Sequence, residues 1–303
     1  MRIVELSDLP DDLGAQIGAL NWLDGDPPVD ATYMRRRLRQ LGYPVSKYQA
    51  VLAVDRGQVL GKVETVLQPY ATPVGTESAV WVTGVVTRPD AVRLGVARAL
   101  LQATHALERT AGRRWAFLWT HRSWAAHGLY EELGYRDVYA PPSALRRLPR
   151  STGKALPRGY GWRTIRRTEA SLLERLLEEA SRGRQGFIPR YPGSFRARFK
   201  LGWRRPSEFS VLTMDSTPVG YAHAPLGRHA RTAYEVVVTH SRHATAMLDA
   251  LERGSAGRWL AMARTTFITD HEALFRQRGY AVYRHSHATM MAKPLLPGSR
   301  RPR

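Results

Sequence analysis

Cysteine is absent from the 303-residue sequence, which excludes disulfide bonds, thiolate ligands for a metal ion and a nucleophilic cysteine. No apolar run is long enough to span a membrane, and residues 1–8 lack the apolar core of a secretory signal peptide. Histidines and carboxylates show no metal-ligand spacing, so we expect no bound metal. Together these absences predict a cytoplasmic protein with no membrane partner.

Acidic residues are few compared with basic ones: 26 aspartates and glutamates stand against 46 lysines and arginines, which gives a net charge of +20. The first 150 residues hold 19 basic and 15 acidic residues, whereas the rest of the chain holds 27 and 11. A basic half can attract an anionic partner such as nucleic acid. It can equally reflect genomic base composition, expressed as arginine on solvated faces.

The most informative stretch is residues 85–101, VVTRPDAVRLGVARALL. It continues an apolar, β-branched run at residues 79–86 that predicts a buried strand, which Pro89 ends. Apolar residues then recur at helical spacing. Gly95 lies between this strand and helix, where unpaired backbone N–H groups favour an anion such as pyrophosphate. Two cationic side chains flank the glycine: Arg93 and Arg98.

A second stretch, SWAAHGLYEELGY at residues 123–135, helps to interpret the first. Together they resemble the GCN5-related N-acetyltransferase (GNAT) family. In that family the loop reads Arg/Gln-x-x-Gly-x-Gly/Ala, which VRLGVA at residues 92–97 matches, and a later signature reads Asn-x-x-Ala-x-x-Leu-Tyr-Glu-x-x-Gly-Phe/Tyr. Two positions depart from the family pattern, because Val92 replaces Arg or Gln and Ser123 replaces Asn.

The resemblance implies that acetyl-CoA is the acetyl donor. It places the pantetheine arm along the buried strand and the pyrophosphate on the glycine loop and the start of the helix. The residues that it assigns to the cofactor are Val85, Val86, Thr87, Val92, Arg93, Leu94, Gly95, Val96, Ala97, Arg98 and Ser123.

For catalysis, the resemblance places Tyr130 near the thioester sulfur as the general acid for the departing thiolate. An aromatic residue there could instead pack against the cofactor. Glu64 lies in an alternating, strand-like segment and is either the general base or a solvated carboxylate. His121 and His127 titrate in a useful range, although a lone histidine can also be structural. Direct attack by the acceptor amine is the simplest route in a chain without cysteine.

Two further groups of residues have both a functional and a structural interpretation. Three aspartates in one loop could attract a cationic amine or form turns and caps: Asp24, Asp26 and Asp30. A basic cluster in the second half could bind nucleic acid in a salt-sensitive way, with Trp203 beside it either stacking on a base or packing in the fold. The cluster is Arg196, Arg198, Lys200, Arg204 and Arg205.

The fold implied by the resemblance is α/β (α+β), with two tandem GNAT-type domains, each a mixed, mostly antiparallel, splayed sheet flanked by helices. We expect an acetyltransferase domain at residues 1–145, a linker at residues 146–159 and a degenerate GNAT-like domain with a basic tail at residues 160–303. The linker assignment depends on its richness in Pro, Arg, Ser and Gly.

The second half resembles a decayed copy of the first. ALFRQRGY at residues 273–280 parallels GLYEELGY at residues 128–135, so Phe275 replaces Tyr130. The connection that holds Gly95 in the first half is about five residues shorter in the second half and lacks a glycine. We therefore expect the second domain to be non-catalytic.

Two functions remain open from the sequence. The first is an N-acetyltransferase that moves acetyl from acetyl-CoA to an amine on a small molecule, peptide or protein. The alternative is an inactive GNAT-fold binding module whose basic second half holds an anionic partner such as nucleic acid. Gly95, Ala97 and Tyr130 favour the enzyme, whereas Val92 and Ser123 favour the binding module.

Overall fold

The computed structural model describes residues 1–23, 48–72, 75–151, 155–184, 192–200, 202, 204–263, 265–284 and 287–297. The chain divides into two compact units, of which unit 1 is Met1–Tyr139 with Thr289–Arg303 and unit 2 is Ala140–Ala288. Among the described residues, no helix is long and apolar enough to cross a membrane. Several residues singled out in the sequence lie outside this range: the three aspartates at 24, 26 and 30, and Trp203.

Unit 1 is built on one mixed sheet. Its strands are β1 (Arg2–Glu5), β2 (Tyr48–Asp55), β3 (Gln58–Thr72), β4 (Gly75–Thr87), β5 (Trp115–His121), β6 (Arg136–Tyr139) and β15 (Ala288–Pro294). They form a seven-stranded sheet in the order β1-β2-β3-β4-β5-β15-β6. The pair β4–β5 is parallel, and β1–β2, β2–β3, β3–β4 and β15–β6 are antiparallel.

In the described part of unit 1, three helices cover the two faces of this sheet: α1 (Gly14–Leu23), α2 (Val96–Thr110) and α3 (Ala125–Glu132). Leu20 of α1 packs with Leu52 of β2 on one face. Leu100 of α2 packs with Val63 of β3 and Val80 of β4 on the other. Side chains alternate across each strand, so successive strand residues meet different helices.

β3 and β4 stay paired as far as Thr72 and Gly75. Pro69 is part of this ladder, opposite Ser78. Within the described residues, β2 pairs with β3 only as far as Val66, so Pro69 has β4 as its strand neighbour on one side alone. A proline that lacks an N–H is tolerated at such an edge position.

Unit 2 contains two four-stranded sheets, with the orders β12-β10-β9-β8 and β11-β13-β7-β14. The strands are β7 (Ser143–Arg147), β8 (Tyr160–Thr164), β9 (Phe209–Met214), β10 (Thr217–His223), β11 (Ala230–Ala233), β12 (Glu235–Val238), β13 (Trp259–Ala263) and β14 (Ala281–Tyr283). The helices are α4 (Ala170–Ser181), α5 (Ser194–Lys200), α6 (Ala244–Arg253), α7 (Thr266–Asp270) and α8 (Glu272–Gln277). Tyr234 separates β11 from β12, which belong to different sheets.

Each unit takes one strand from the other half of the sequence. β15 lies between β5 and β6 in unit 1, and β7 lies between β13 and β14 in unit 2. Met291 of β15 is fully buried in the unit 1 core, and Arg109 of α2 donates to the carbonyl of Leu295. The predicted division into residues 1–145, 146–159 and 160–303 did not include this exchange, since alternation marks a strand but not its partner.

Candidate active site

The candidate site of unit 1 begins where β4 and β5 separate. The two strands pair at only two positions, Val80 with Ala116 and Trp81 with Phe117. Beyond them, residues 83–87 of β4 have β3 as their neighbour on one side and no strand on the other within the part of the chain that the structure describes. An unpaired strand edge can hydrogen-bond to an extended ligand.

A β-bulge lies at this opening. Lys62 is opposite Val86 and Glu64 is opposite Thr83, so two residues of β4 face one residue of β3. The first bulged residue, Gly84, has a φ of +52°. An ideal Cβ at Gly84 would lie 2.9 Å from Oε2 of Glu64, so a larger residue there would displace the Glu64 side chain. The bulge therefore sets the direction of the β4 backbone at the opening and holds it against the Glu64 carboxylate.

The loop after β4 leads directly to a helix N-terminus. Arg93 has a φ of +68°, and Gly95 is the N-cap of α2 with a φ of +78°. Because the N-cap residue is a glycine, it offers no side chain to the N–H groups of the first turn. No atom lies within 4 Å of an ideal Cβ at Gly95. The helix start is thus open on the side that would receive an anion.

The arginines beside this loop differ in whether a carboxylate neutralises them. Arg98 of α2 forms an ion pair with Glu132 of α3, which neutralises much of its charge. Arg88 pairs with the Asp90 carboxylate at 2.6 Å. Arg93 has no ion-pair partner among the described residues, so it is the cation left for a ligand at this loop.

The interpretation of Glu64 as a solvated strand carboxylate is wrong, because the side chain is buried. The residue is 5% exposed, and its Oε1 lies 2.6 Å from Nζ of Lys62. Lys62 also donates to the side-chain oxygen of Asn21 on α1. Helix α1 packs against β3 on this face, which removes the pair from water. An alternating segment with Lys62 and Glu64 on one face was the sequence signal for this cluster.

Tyr130 lies on α3 and is buried in the same core as α2 and β5. Its ring meets that of Tyr135 edge to face, with centroids 5.9 Å apart. The Tyr135 hydroxyl is 2.8 Å from Nε2 of His105 on α2. Burial, helped by the positive charges of Lys293 and Arg109, lowers the pKa of His105 to about 3, so this imidazole is neutral at pH 7.

Three predicted residues near the second signature have partners of their own. Ser123 is exposed, and its hydroxyl lies 2.7 Å from Nδ1 of His121. Nε2 of His127 lies 3.1 Å from a carboxylate oxygen of Asp137. Both contacts are local, so they indicate structural roles. Within the described residues, no group of three or more His, Asp or Glu side chains could hold a metal ion.

Comparisons with known proteins agree with this geometry. A sequence model of the acetyltransferase (GNAT) domain matches residues 46–137. Unit 1 carries a GNAT domain. No curated protein sequence is significantly similar to the chain.

Solved structures extend the GNAT fold over the whole chain. An Enterococcus faecalis protein, a probable N-acyltransferase, has a TM-score of 0.73 at 12% identity, over 97% of this chain and 72% of its own. A GCN5-related N-acetyltransferase from Kribbella flavida has a TM-score of 0.67 at 14% identity, over 97% and 72%. A tandem GNAT protein from the clavulanic acid biosynthesis pathway has a TM-score of 0.55 at 17% identity, over 98% and 99%. The predicted tandem GNAT fold is confirmed.

In unit 2, a side-chain hydrogen bond bridges the corresponding opening. The strands next to it are β12 and β13, which belong to different sheets. The hydroxyl of Thr265, just after β13, donates to the carbonyl of Val236 on β12 at 3.5 Å. Phe267 and Phe275 are buried in the core behind it.

The helix start in unit 2 is also closed. His243, just before α6, is fully buried. Its Nδ1 lies 2.8 Å from the Tyr160 hydroxyl, and Arg242 donates to its Nε2 at 3.2 Å. The position that is open in the GNAT domain of unit 1 is thus occupied by protein in unit 2.

Proposed function

We propose that the chain is an N-acetyltransferase that transfers the acetyl group of acetyl-CoA to an amine, with its active site in unit 1. The observation that carries this proposal is the opening between β4 and β5, which is bordered by the Gly84 bulge. It is followed directly by a helix N-terminus whose N-cap, Gly95, has open space at its Cβ position among the described residues. A strand edge and an anion site in this order suit a ligand with an extended amide arm and a pyrophosphate.

The residues that would hold the donor follow from this arrangement. The edge of β4 at Val85, Val86 and Thr87 offers backbone groups to the amides of the pantetheine arm. The backbone N–H groups at the start of α2 would bind the pyrophosphate, and Arg93 supplies a positive charge. The open space around Gly95 fits this assignment, since a phosphate needs close backbone approach.

In the transfer, the neutral amine attacks the acetyl carbonyl, a C–N bond forms, and the C–S bond breaks. The proton lost by the amine goes to a base, and the departing thiolate takes a proton from an acid. We assign Glu64 as the base, because its Oε2 lies against the bulge at the opening. We assign Tyr130 as the acid, because its helix follows β5 on the other border of the opening.

Unit 2 has no donor site in this proposal. Its opening holds the Thr265 hydrogen bond, its helix start holds His243, and Phe275 stands where Tyr130 stands in unit 1. The described part of unit 2 therefore serves structure or acceptor recognition rather than chemistry.

A binding role for the basic half is the second candidate. Arg196 and Lys200 are exposed on α5, four residues apart, and Arg205 is exposed just beyond it. None of the three has an ion-pair partner among the described residues. Binding of a single-stranded oligonucleotide that weakens steeply with salt, and is lost in Arg196→Glu/Lys200→Glu, would support this role. Salt-independent or absent binding would exclude it.

Calorimetric titration of acetyl-CoA tests the first proposal. We expect the wild type to bind, and Gly95→Glu to lose at least about tenfold in affinity through charge repulsion and a blocked helix start. Gly112→Glu is the matched control, because Gly112 ends the same helix with a φ of +75° and equally open surroundings. Absence of wild-type binding, or equal binding by the two variants, would contradict the proposal.

A further inference from the structure

One buried hydroxyl at the opening has no hydrogen-bond partner among the described residues. Thr120 of β5 is 6% exposed, and its Oγ1 makes no hydrogen bond among the described residues. The other buried threonines of unit 1 are all satisfied: Thr65 donates to Glu108, Thr104 to the carbonyl of Leu100, and Thr289 to the carbonyl of Tyr139. A buried polar group without a partner is costly, so an exception of this kind points to a ligand or to a bound water.

The position of Thr120 favours a ligand. It follows Phe117, the last residue of β5 that pairs with β4, and so lies in the separated part of the strand. Alternation puts its side chain on the same face as Ala116 and Leu118. Both of these residues pack in the core that contains Tyr130. The orphan hydroxyl is therefore on the side of the sheet that carries α2 and α3, beside the opening.

Unit 2 provides an internal comparison. There the Thr265 hydroxyl, which follows the corresponding strand β13, donates across the opening to the carbonyl of Val236. In unit 1 the strands stand apart, and the hydroxyl on β5 has no such carbonyl within reach among the described residues. A hydroxyl beside an open cleft is satisfied when a ligand carbonyl enters the cleft.

We propose that the Thr120 hydroxyl donates a hydrogen bond to a carbonyl oxygen of the bound acyl-CoA, either an amide of the pantetheine arm or the thioester. This inference rests on the proposed function, since it concerns the same opening. It adds a binding residue that neither the GNAT signatures of the sequence nor the loop geometry assigns. The hydroxyl is orphaned without the ligand and satisfied with it.

The test compares Thr120→Val, which is nearly isosteric but lacks the hydroxyl, with Thr120→Ser, which keeps it. Affinity for acetyl-CoA and for CoA is measured by calorimetry, and the melting temperature is measured without ligand. We expect Thr120→Val to bind acetyl-CoA about tenfold more weakly, because it lacks the hydrogen bond to the ligand. Without ligand it should melt at or above the wild-type temperature, because the cost of burying an unpaired hydroxyl is removed. Thr120→Ser should bind within about threefold of the wild type.

Comparison of the two ligands locates the carbonyl. A loss for acetyl-CoA and CoA alike assigns the bond to a pantetheine amide, whereas a loss for acetyl-CoA alone assigns it to the thioester. Unchanged affinity of Thr120→Val, or a lower melting temperature together with lower affinity, would overturn the inference while leaving the proposed function intact. Absence of wild-type binding would overturn both.

Discussion

Lys62 and Glu64 form a buried ion pair at the opening of the GNAT domain, with Nζ and Oε1 2.6 Å apart and side-chain exposures of 1% and 7%. The two residues lie on the same face of β3, and Asn21 of α1 accepts a further hydrogen bond from the ammonium group. A pair of this kind fixes the direction of the carboxylate, so that its second oxygen faces the β4 bulge. Two predictions concern this pair.

Lys62→Met should destabilise the protein by roughly 3–5 kcal/mol, because it leaves the Glu64 carboxylate buried without its counter-charge. Urea denaturation of the variant and of Lys62→Met/Glu64→Gln provides the measurement. The double variant should regain part of the loss, since no uncompensated charge remains. Equal stability of Lys62→Met and wild type would show that the pair is not buried in solution.

Glu64→Gln should lower kcat by roughly 10²-fold or more while acetyl-CoA affinity changes little, because the amide cannot accept the proton of the amine. The assay follows thiol release with an amine acceptor, and calorimetry reports acetyl-CoA binding separately. Glu77→Gln is the control for the loss of a strand carboxylate, because Glu77 lies near the start of β4, is partly exposed and pairs with Arg114. Wild-type kcat in Glu64→Gln would exclude Glu64 as the base.

Tyr130→Phe and Tyr135→Phe should separate catalysis from stability. Tyr130→Phe should lower kcat by roughly 10²-fold, because it removes the hydroxyl that protonates the thiolate, with little change in melting temperature. The second should keep kcat but cost about 1–3 kcal/mol, because Nε2 of His105 loses its hydroxyl partner in the core. A reversal of these effects would move the chemical role away from Tyr130.

His105 should lower the free energy of unfolding as the pH falls below the ordinary pKa of histidine. Its pKa falls from 6.5 to about 3 in the folded state through burial and the nearby Lys293 and Arg109 charges. Between these values the unfolded chain binds a proton that the native histidine does not. The free energy of unfolding therefore falls as the pH is lowered, by at most about 1.4 kcal/mol per unit for this group.

His105→Gln should make that decline shallower, which chemical denaturation at about pH 7 and about pH 5 would measure. The exposed His229 gives the control variant, His229→Gln, because other histidines also contribute to the wild-type profile. If His105→Gln and wild type lose the same stability over this range, His105 is already protonated in the native state.

Glu132→Gln should raise acetyl-CoA affinity by roughly two- to fivefold at low salt, because it releases Arg98 toward the phosphate site. The gain should shrink as ionic strength rises. Glu131→Gln, its neighbour on α3, pairs with His127 instead and is the matched control. An equal gain in both variants would indicate a general charge effect rather than competition for Arg98.

Local signals predicted the loop of the site well. Pro89 ends a β-branched run, Gly95 has the positive φ that a glycine suits, and helical spacing follows. All of these features are set within a few residues, so one stretch of sequence contains them. The helix begins at Val96, however, and Val92 is exposed outside it. Apolar residues at helical spacing already occur before the N-cap, so the spacing alone does not mark the first residue of the helix.

The features that the sequence did not predict depend on contacts between residues that are far apart in the chain. The burial of Glu64 depends on Asn21, which lies 41 residues from Lys62 in the chain. The orphan state of Thr120 depends on where β4 leaves β5, and no residue pattern in either strand marks that point. Likewise, β15 alternates like any strand, and its place beside β6 is decided by register with a distant segment.

The exchange of strands also affects the order in which the two units can fold during synthesis. The hydroxyl of Thr289 donates to the carbonyl of Tyr139, which precedes it by 150 residues. On a ribosome, the sheet of unit 1 would stay open between β5 and β6 until β15 emerges, with unit 2 already made. The unit proposed to carry the chemistry would then be the later one to close, and a fragment that ends at residue 139 would lack the strand that closes its sheet.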